Sequence, residues 1–223
     1  MKAEGGQRQA TAQRIIDATR ALMTEKGVLE VSIAEISQRA SANVALVSYY
    51  FGNREGLMVA VVEADSRHAL AGLERLLAAD LSSTAKIALH IRGLIEAYFE
   101  RPYLHRLLQK LVREASAETS ARICQSLLAP VAAARRQIIG EGIRRGEFQP
   151  VDIDLVHFAL DGACSQIFSS VEGRQAVLGG GRLNRDLIDR YAETVSTLVI
   201  AGLSNPSPNG ITSPKKSRSP IKD

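Results

Sequence analysis

The sequence predicts an all-α protein, with a small three-helix head on a larger helical body. Three observations predict it. Apolar residues recur at helical spacing through most of the 223 residues. Ser, Asn and Asp stand where helices should begin, and Gly where they should end. No stretch alternates apolar and polar residues between hairpin turns. Composition agrees: 45 % of residues are apolar but only 4 % aromatic, with no Trp, so the core is aliphatic and suits helix packing.

The elements follow in order. Residues 1–9 are polar and Gly-containing and read as loose. From Ala10 a helix is predicted, with Ile15, Ala18, Leu22 and Met23 on its apolar stripe and Gly27 as its stop. Ser32 opens a short second helix and pairs with Glu35 as a capping box; Ile33, Ile36 and Ala40 face inward. After the turn Ser41-Ala42-Asn43, Asn43 caps a third helix from Val44 to Phe51. Asn53 caps the next, which carries Leu57, Val61, Leu70, Leu73, Leu76 and Leu77.

The body reads as long helices with short breaks. One spans residues 83–100. Pro102 suits the first turn of its successor, which carries Leu104, Leu107, Leu108 and Leu111. Residues 119–145 form another, with Pro130 as a kink or a boundary. Gly146 stops it. Asp152 or Asp154 caps a helix to about Val171, residues 172–184 read as a glycine-bearing loop, and a last helix covers 185–203. Residues 204–223 contain four Pro and no core, and read as a disordered basic tail. That tail either attracts phosphate weakly or simply solubilises the chain. The division is therefore 8–54, 55–203 and 204–223.

Charge excludes less than the net +4 suggests. Residues 1–56 carry seven basic and six acidic side chains, and residues 57–203 seventeen of each, so most of the excess lies in the tail. Bulk charge does not argue nucleic-acid binding; local pattern must. Cys124 and Cys164 lie forty residues apart, with no CxxC pair or disulfide framework, and read as buried or half-buried thiols. No apolar run approaches the length of a membrane span, and the N-terminus is polar, so a cytoplasmic chain is expected. His68, His90, His105 and His157 have no ligand spacing, so no metal is expected. No phosphate loop, nucleophile elbow or HExxH occurs, so neither an enzyme nor a cofactor is expected.

Two short helices joined by a three-residue turn cannot bury their apolar faces alone, and the helix from Ala10 supplies the third wall. This is helix-turn-helix geometry, whose second helix can enter a major groove. Val47 and Phe51, four apart, face the small core, while Val44, Ala45 and Ser48 lie on another face flanked by Leu46 and Tyr49. A helical adaptor that binds no DNA is the reading from another class.

The run "IAEISQRASANVALVSYYFGNREGL", with "RIIDATRALMTEKGVLEVSI" before it, resembles the signature of the TetR family of bacterial regulators. The register is specific at Ala40, Asn43, Tyr49, Phe51, Gly52, Arg54 and Glu55-Gly56-Leu57. Ser41 replaces a usual glycine and can still fit the turn if its dihedrals are ordinary. Ser48 and Tyr50 stand where Tyr and His are frequent, nearer to branches reading "NYHF". The resemblance implies that Ser32, Asn43, Tyr49, Tyr50 and Arg54 hold the DNA backbone, with Arg8 and Arg14 in an added arm. Val44, Ala45, Leu46 and Ser48 would sit nearest the bases. None of these four is the Arg, Lys, Asn or Gln of a bidentate base contact, so reading would rest on thymine methyls, water and DNA shape.

The resemblance further implies a homodimer formed by the last two long helices. Leu155, Ala159, Gly162, Leu187, Tyr191, Thr194, Val195 and Leu198 would line it, and double-stranded DNA with a near-palindromic operator would be the partner. An unidentified small-molecule effector in the body would release a repressor from DNA. Its contacts are sought among Tyr98, Phe99, Tyr103, His105, Arg106, Gln109 and Phe158.

Overall fold

A computed structural model describes the backbone of residues 2–204 and side chains from residue 8 onward. The fold is all-α, as expected. The head comprises α1 (Lys2–Lys26), α2 (Ile33–Arg39) and α3 (Val44–Phe51). The body comprises α4 (Arg54–Ala78), α5 (Ser83–Glu100), α6 (Leu104–Glu114), α7 (Ala117–Ile123), α8 (Ala129–Arg144), α9 (Ile153–Ser169), α10 (Val171–Leu178) and α11 (Arg185–Leu203). The tail beyond Ser204 lies outside the described residues.

Caps set most boundaries. Ser32 closes a full capping box: its hydroxyl accepts from the Glu35 N–H, and Glu35 accepts from the Ser32 N–H. The side chains of Asn43, Asn53, Ser82, Ser116, Asp152, Ser170 and Asn184 each accept from a first-turn N–H. Each such cap is worth about 1 kcal/mol.

In the head, Ile15, Ile36 and Val47 interlock with Leu57 at the start of α4. In the body the core is built on Ile87, Ile91, Ile95, Ile123, Ile138 and Phe148. Gly142 lets the Phe148 ring lie where a Cβ would stand, 2.2 Å away. α4 joins the two regions without a break, packing on α1 and α3 at one end and on α5, α6 and α8 farther along.

Five local expectations need correction. Helix α1 begins at Lys2, so residues 2–9 are helical rather than loose. Pro102 precedes α6 in a turn closed by the Leu104 N–H on the Arg101 carbonyl. The helix predicted over 119–145 is two helices joined by a π turn, Cys124–Leu128, in which the Ala129 N–H reaches back five residues to the Cys124 carbonyl. Pro130, next in line, has no N–H, and its ring would crowd the carbonyl four residues back; the wider turn accommodates both demands. Residues 171–178, read largely as loop, form α10 between the Ser170 cap and a left-handed Gly179. Ser41 does not have ordinary dihedrals: its φ of 50° is left-handed, where a Cβ is disfavoured by about 1–2 kcal/mol.

Candidate functional site

Helix α3 is held from behind. Val47 is buried, Leu46, Tyr50 and Phe51 are half-buried against the core, and Val44, Ala45, Ser48 and Tyr49 are exposed. Tyr49 is 61 % exposed, and the Arg8 guanidinium lies 5.8 Å from its ring centre. This cation–π contact ties α1 to α3 and was not visible in the sequence. Tyr49 also meets Tyr50 edge-on, 5.1 Å between ring centres.

The residues expected at the DNA backbone carry structural duties too. Asn43 spends its amide oxygen on the Ala45 N–H, 2.9 Å away, which leaves its NH2 as a donor. Ser32 is engaged with Glu35 on both backbone and hydroxyl. Lys26 and Ser32 together hold the Glu35 carboxyl down at about 2. Arg54 is exposed but reaches the Leu29 carbonyl at 3.1 Å, fastening the α1–α2 loop to α4. Arg14 reaches the Ala40 carbonyl at 3.4 Å, beside the strained Ser41.

Head and body meet around a buried carboxylate. Asp65 of α4 is 5 % exposed. It takes Arg20 of α1 at 2.8 Å, Arg101 at 3.3 Å and the Tyr103 hydroxyl at 2.9 Å. Along α6, Arg106 reaches the Gly27 carbonyl and Lys110 pairs with Glu30. Glu55 accepts from Ser116 and Thr119 of the α7 start, and Arg122 clamps Glu63.

A cavity of about 490 Å³ opens among α4, α5, α6, α8 and α9, within the range of small-molecule sites. Leu70, Leu73, Leu94, Leu104, Leu108, Leu127, Leu128 and Val131 make its apolar wall. Of the seven residues sought there, Tyr98 lines it; Phe99, Tyr103, His105, Arg106, Gln109 and Phe158 do not. Helical phase explains most of this. On α6, Leu104 and Leu108 face the cavity, so His105 and Gln109, each one residue on, rotate away by about 100°. Phe99 turns likewise from Tyr98 and lies under Arg185 of α11. Tyr103 serves Asp65, and Phe158 is 73 % exposed on α9.

The polar part of the cavity was missed. Arg135 of α8 is 0 % exposed. Its Nε donates to His90 Nε2 at 2.9 Å, and its Nη1 lies 3.0 Å from His157 Nδ1 and donates to the His157 carbonyl. Its Nη2 stands 2.8 Å from an Asp161 oxygen, an ion-pair distance, yet no acceptor completes a hydrogen bond to it. Burial, reinforced by the Arg135 charge, pushes His90 down to about 3 and lowers His157. Both imidazoles are therefore neutral acceptors near neutral pH. Burial also raises the Tyr98 phenol, which stays protonated, and takes the Cys164 thiol up to about 12. The available signal was a charge inside an apolar stripe: Arg135 falls in register with Val131, Ile138, Ile139 and Gly142.

On the far side of the body, Leu155, Phe158 and Leu198 are exposed with Ala159, Gly162 and Thr194 around them. Val195, expected on that surface, is buried within the chain, and Leu187 and Tyr191 are half-buried. The 187–191–195 row turns inward, where the Tyr191 hydroxyl donates to the Ala163 carbonyl. Among the described residues no group of three or more His, Cys, Asp or Glu could hold a metal. No helix there is long and apolar enough to cross a membrane.

Comparison with known proteins accords with this layout. Residues 15–61 match the profile of "Bacterial regulatory proteins, tetR family", and residues 80–209 that of "Tetracyclin repressor-like, C-terminal domain". The HTH-type transcriptional regulator BetI of Paraburkholderia xenovorans is 37 % identical over 68 residues, 30 % of this chain and 33 % of that protein. The match thus spans about a third of that relative's length. Among solved structures, FadR of Bacillus subtilis in complex with stearoyl-CoA superposes with a TM-score of 0.69 at 19 % identity, covering 86 % of this chain and 98 % of that one. A TetR/AcrR-family regulator from Thermobifida fusca does so with a TM-score of 0.66 at 21 % identity, covering 86 % and 97 %. At such identities the likeness concerns the fold. With both segments matched, and the second covering more than half of the chain, the protein belongs to the TetR family of bacterial transcription regulators.

Proposed function

We propose that this regulator is a repressor that binds a near-palindromic operator as a homodimer and leaves it when a small molecule fills the body cavity. The observation that carries the DNA part is the solvent-facing side of α3. A capped helix N-terminus there presents Val44, Ala45, Ser48 and Tyr49 while Val47 anchors the helix from behind. Asn43, Tyr49, Tyr50, Arg54 and Ser32 hold phosphates; Val44, Ala45, Leu46 and Ser48 face bases. With no long polar side chain on that face, discrimination comes from thymine methyls, bound water and groove shape. We assign the reading helix to the branch with Asn-Tyr-His-Phe, on the Ser48-Tyr49-Tyr50-Phe51 run.

The exposed apolar surface of α9 and α11 supports the dimer, with Phe158 added to Leu155, Ala159, Gly162, Thr194 and Leu198. A two-fold pair would place two reading helices about one DNA turn, roughly 34 Å, apart. On this reading residues 8–54 read DNA and residues 55–203 sense and dimerise. Selection of bound duplexes from a random pool, with sedimentation of the complex, tests it. The expected result is a two-fold motif with half-sites one turn apart, bound by an even number of chains. Recovery of no motif at low salt would sink the reading.

A further inference from the structure

We propose that the Arg135 cluster is the headgroup site of the effector, and that the effector is an elongated apolar molecule ending in one carboxylate. This deepens the ligand-responsive reading above and rests on it. The carboxylate takes the place of Asp161 on the guanidinium, while the apolar chain lies along the leucine wall.

Four observations carry it. Arg135 is fully buried and borders the cavity, yet its Nη2 has no hydrogen-bond acceptor. Asp161 supplies that nitrogen with a counter-charge at 2.8 Å but without hydrogen-bond geometry, so a better-aligned carboxylate gains a charge-assisted hydrogen bond that Asp161 does not make. Its other donors are already committed to the two neutral imidazoles and the His157 carbonyl, so Nη2 is where an incoming acceptor is needed. The present counter-ion is replaceable: the Asp161 side chain is 44 % exposed and can turn to water without stranding a charge. The wall around the cluster is aliphatic, which suits a chain rather than a polar body.

Charge balance selects the headgroup. Exchanging one carboxylate for another leaves the buried cluster with the same net charge. An ammonium would face Arg135 across a low-dielectric space. An alcohol would leave Asp161 in place and offer no charge-assisted bond. The acids near the cavity mouth do not argue for a cation, because each is paired: Glu96 with Arg185, Glu100 with Arg101, and Asp65 with Arg20 and Arg101. Asp161 belongs to α9, which also bears the exposed Leu155–Phe158 surface, so the exchange alters a contact on that helix.

Calorimetric titration of the full chain at neutral pH, without DNA, with dodecanoate, dodecanol, dodecylammonium and dodecanoyl-coenzyme A tests the proposal. Dodecanoate should bind about tenfold or more tighter than the other three. Arg135→Met should weaken dodecanoate by about tenfold and leave dodecanol unchanged. Asp161→Asn, which removes the competing carboxylate, should tighten dodecanoate by about tenfold. Equal or tighter binding of any of the other three ligands overturns the proposal, as does failure of all four to bind. Should Arg135→Met not fold, Asp161→Asn decides alone: unchanged or weaker dodecanoate binding overturns it. Because no DNA is present, these ratios stand or fall separately from operator binding, whose loss would instead sink the regulator reading.

Discussion

The reading head and the body cavity are built on opposite principles. The head is organised by neighbours in sequence. Ser32 caps with Glu35, Asn43 with Ala45 and Asn53 with Gly56, and the apolar residues fill in behind. The cavity is organised by residues that sequence keeps far apart. Arg135 meets His90 forty-five positions away and His157 twenty-two away, and Asp65 meets Tyr103 across thirty-eight. Local rules thus specify the exposed surface of the head. Non-local buried charges specify the polar part of the cavity.

Five substitutions would break or sharpen this contrast. The largest effect is expected at the joint. Asp65→Ala leaves Arg20 and Arg101 without their shared counter-ion and Tyr103 without its acceptor, and should cost about 3–5 kcal/mol. Denaturant melts followed separately by a head probe and a body probe would show it; two transitions in the variant against one in the parent would mean that Asp65 couples the regions. Next comes acidity. The folded pKa of His90 lies far below its ordinary 6.5, so the unfolded chain takes up the proton first. Stability should be fully present above pH 6.5 and fall towards pH 4.5, before the ordinary carboxylates titrate. The slope would approach about 1.4 kcal/mol per pH unit for one such proton. His90→Gln, which keeps an acceptor for Arg135 but cannot charge, should flatten that slope; an unchanged slope refutes the assignment.

Smaller effects are expected in the head. Val44→Lys and Tyr49→Ala should each weaken specific operator binding by about 1–3 kcal/mol without moving the melting midpoint by much. Fluorescence anisotropy on the selected duplex, beside thermal melts, separates the two; unchanged affinity would move the reading surface elsewhere. Ser41→Gly should stabilise the chain by about 0.5–1 kcal/mol, because the left-handed turn no longer carries a Cβ. A loss of stability there would mean that the Ser41 side chain contributes more than its backbone costs.

What could be read in advance follows the same divide. The head was legible because each boundary is a short-range event: a cap, a glycine, a four-residue step. Along the body the helices were legible but their rotation was not. Leu104 and Leu108 differ from His105 and Gln109 by a single position, and only packing decides which pair meets the cavity. Val195 was misplaced for the same reason, since a 194–198 row and a 191–195 row look alike until α9 is in place. Asp65 and Arg135 were detectable in principle as charges lodged in apolar stripes, although a stripe does not name the partner. Ser41 shows the opposite failure: its glycine-like φ could have been inferred from the turn, against the residue's own preference.

The π turn at Cys124–Leu128 also acts as a phase shifter. Helix α7, before it, grips α4 through Arg122 and Thr119, whereas α8, after it, delivers Arg135 to the cavity. The turn contains one residue more than an ordinary helical turn would need. Removing that residue would rotate everything downstream by about 100° relative to α7. Arg135 would then leave the cavity, although every helix could survive unchanged in length. The Arg135 cluster at the cavity thus depends on a count as well as on side chains, and a deletion that spares each named residue would still erase it.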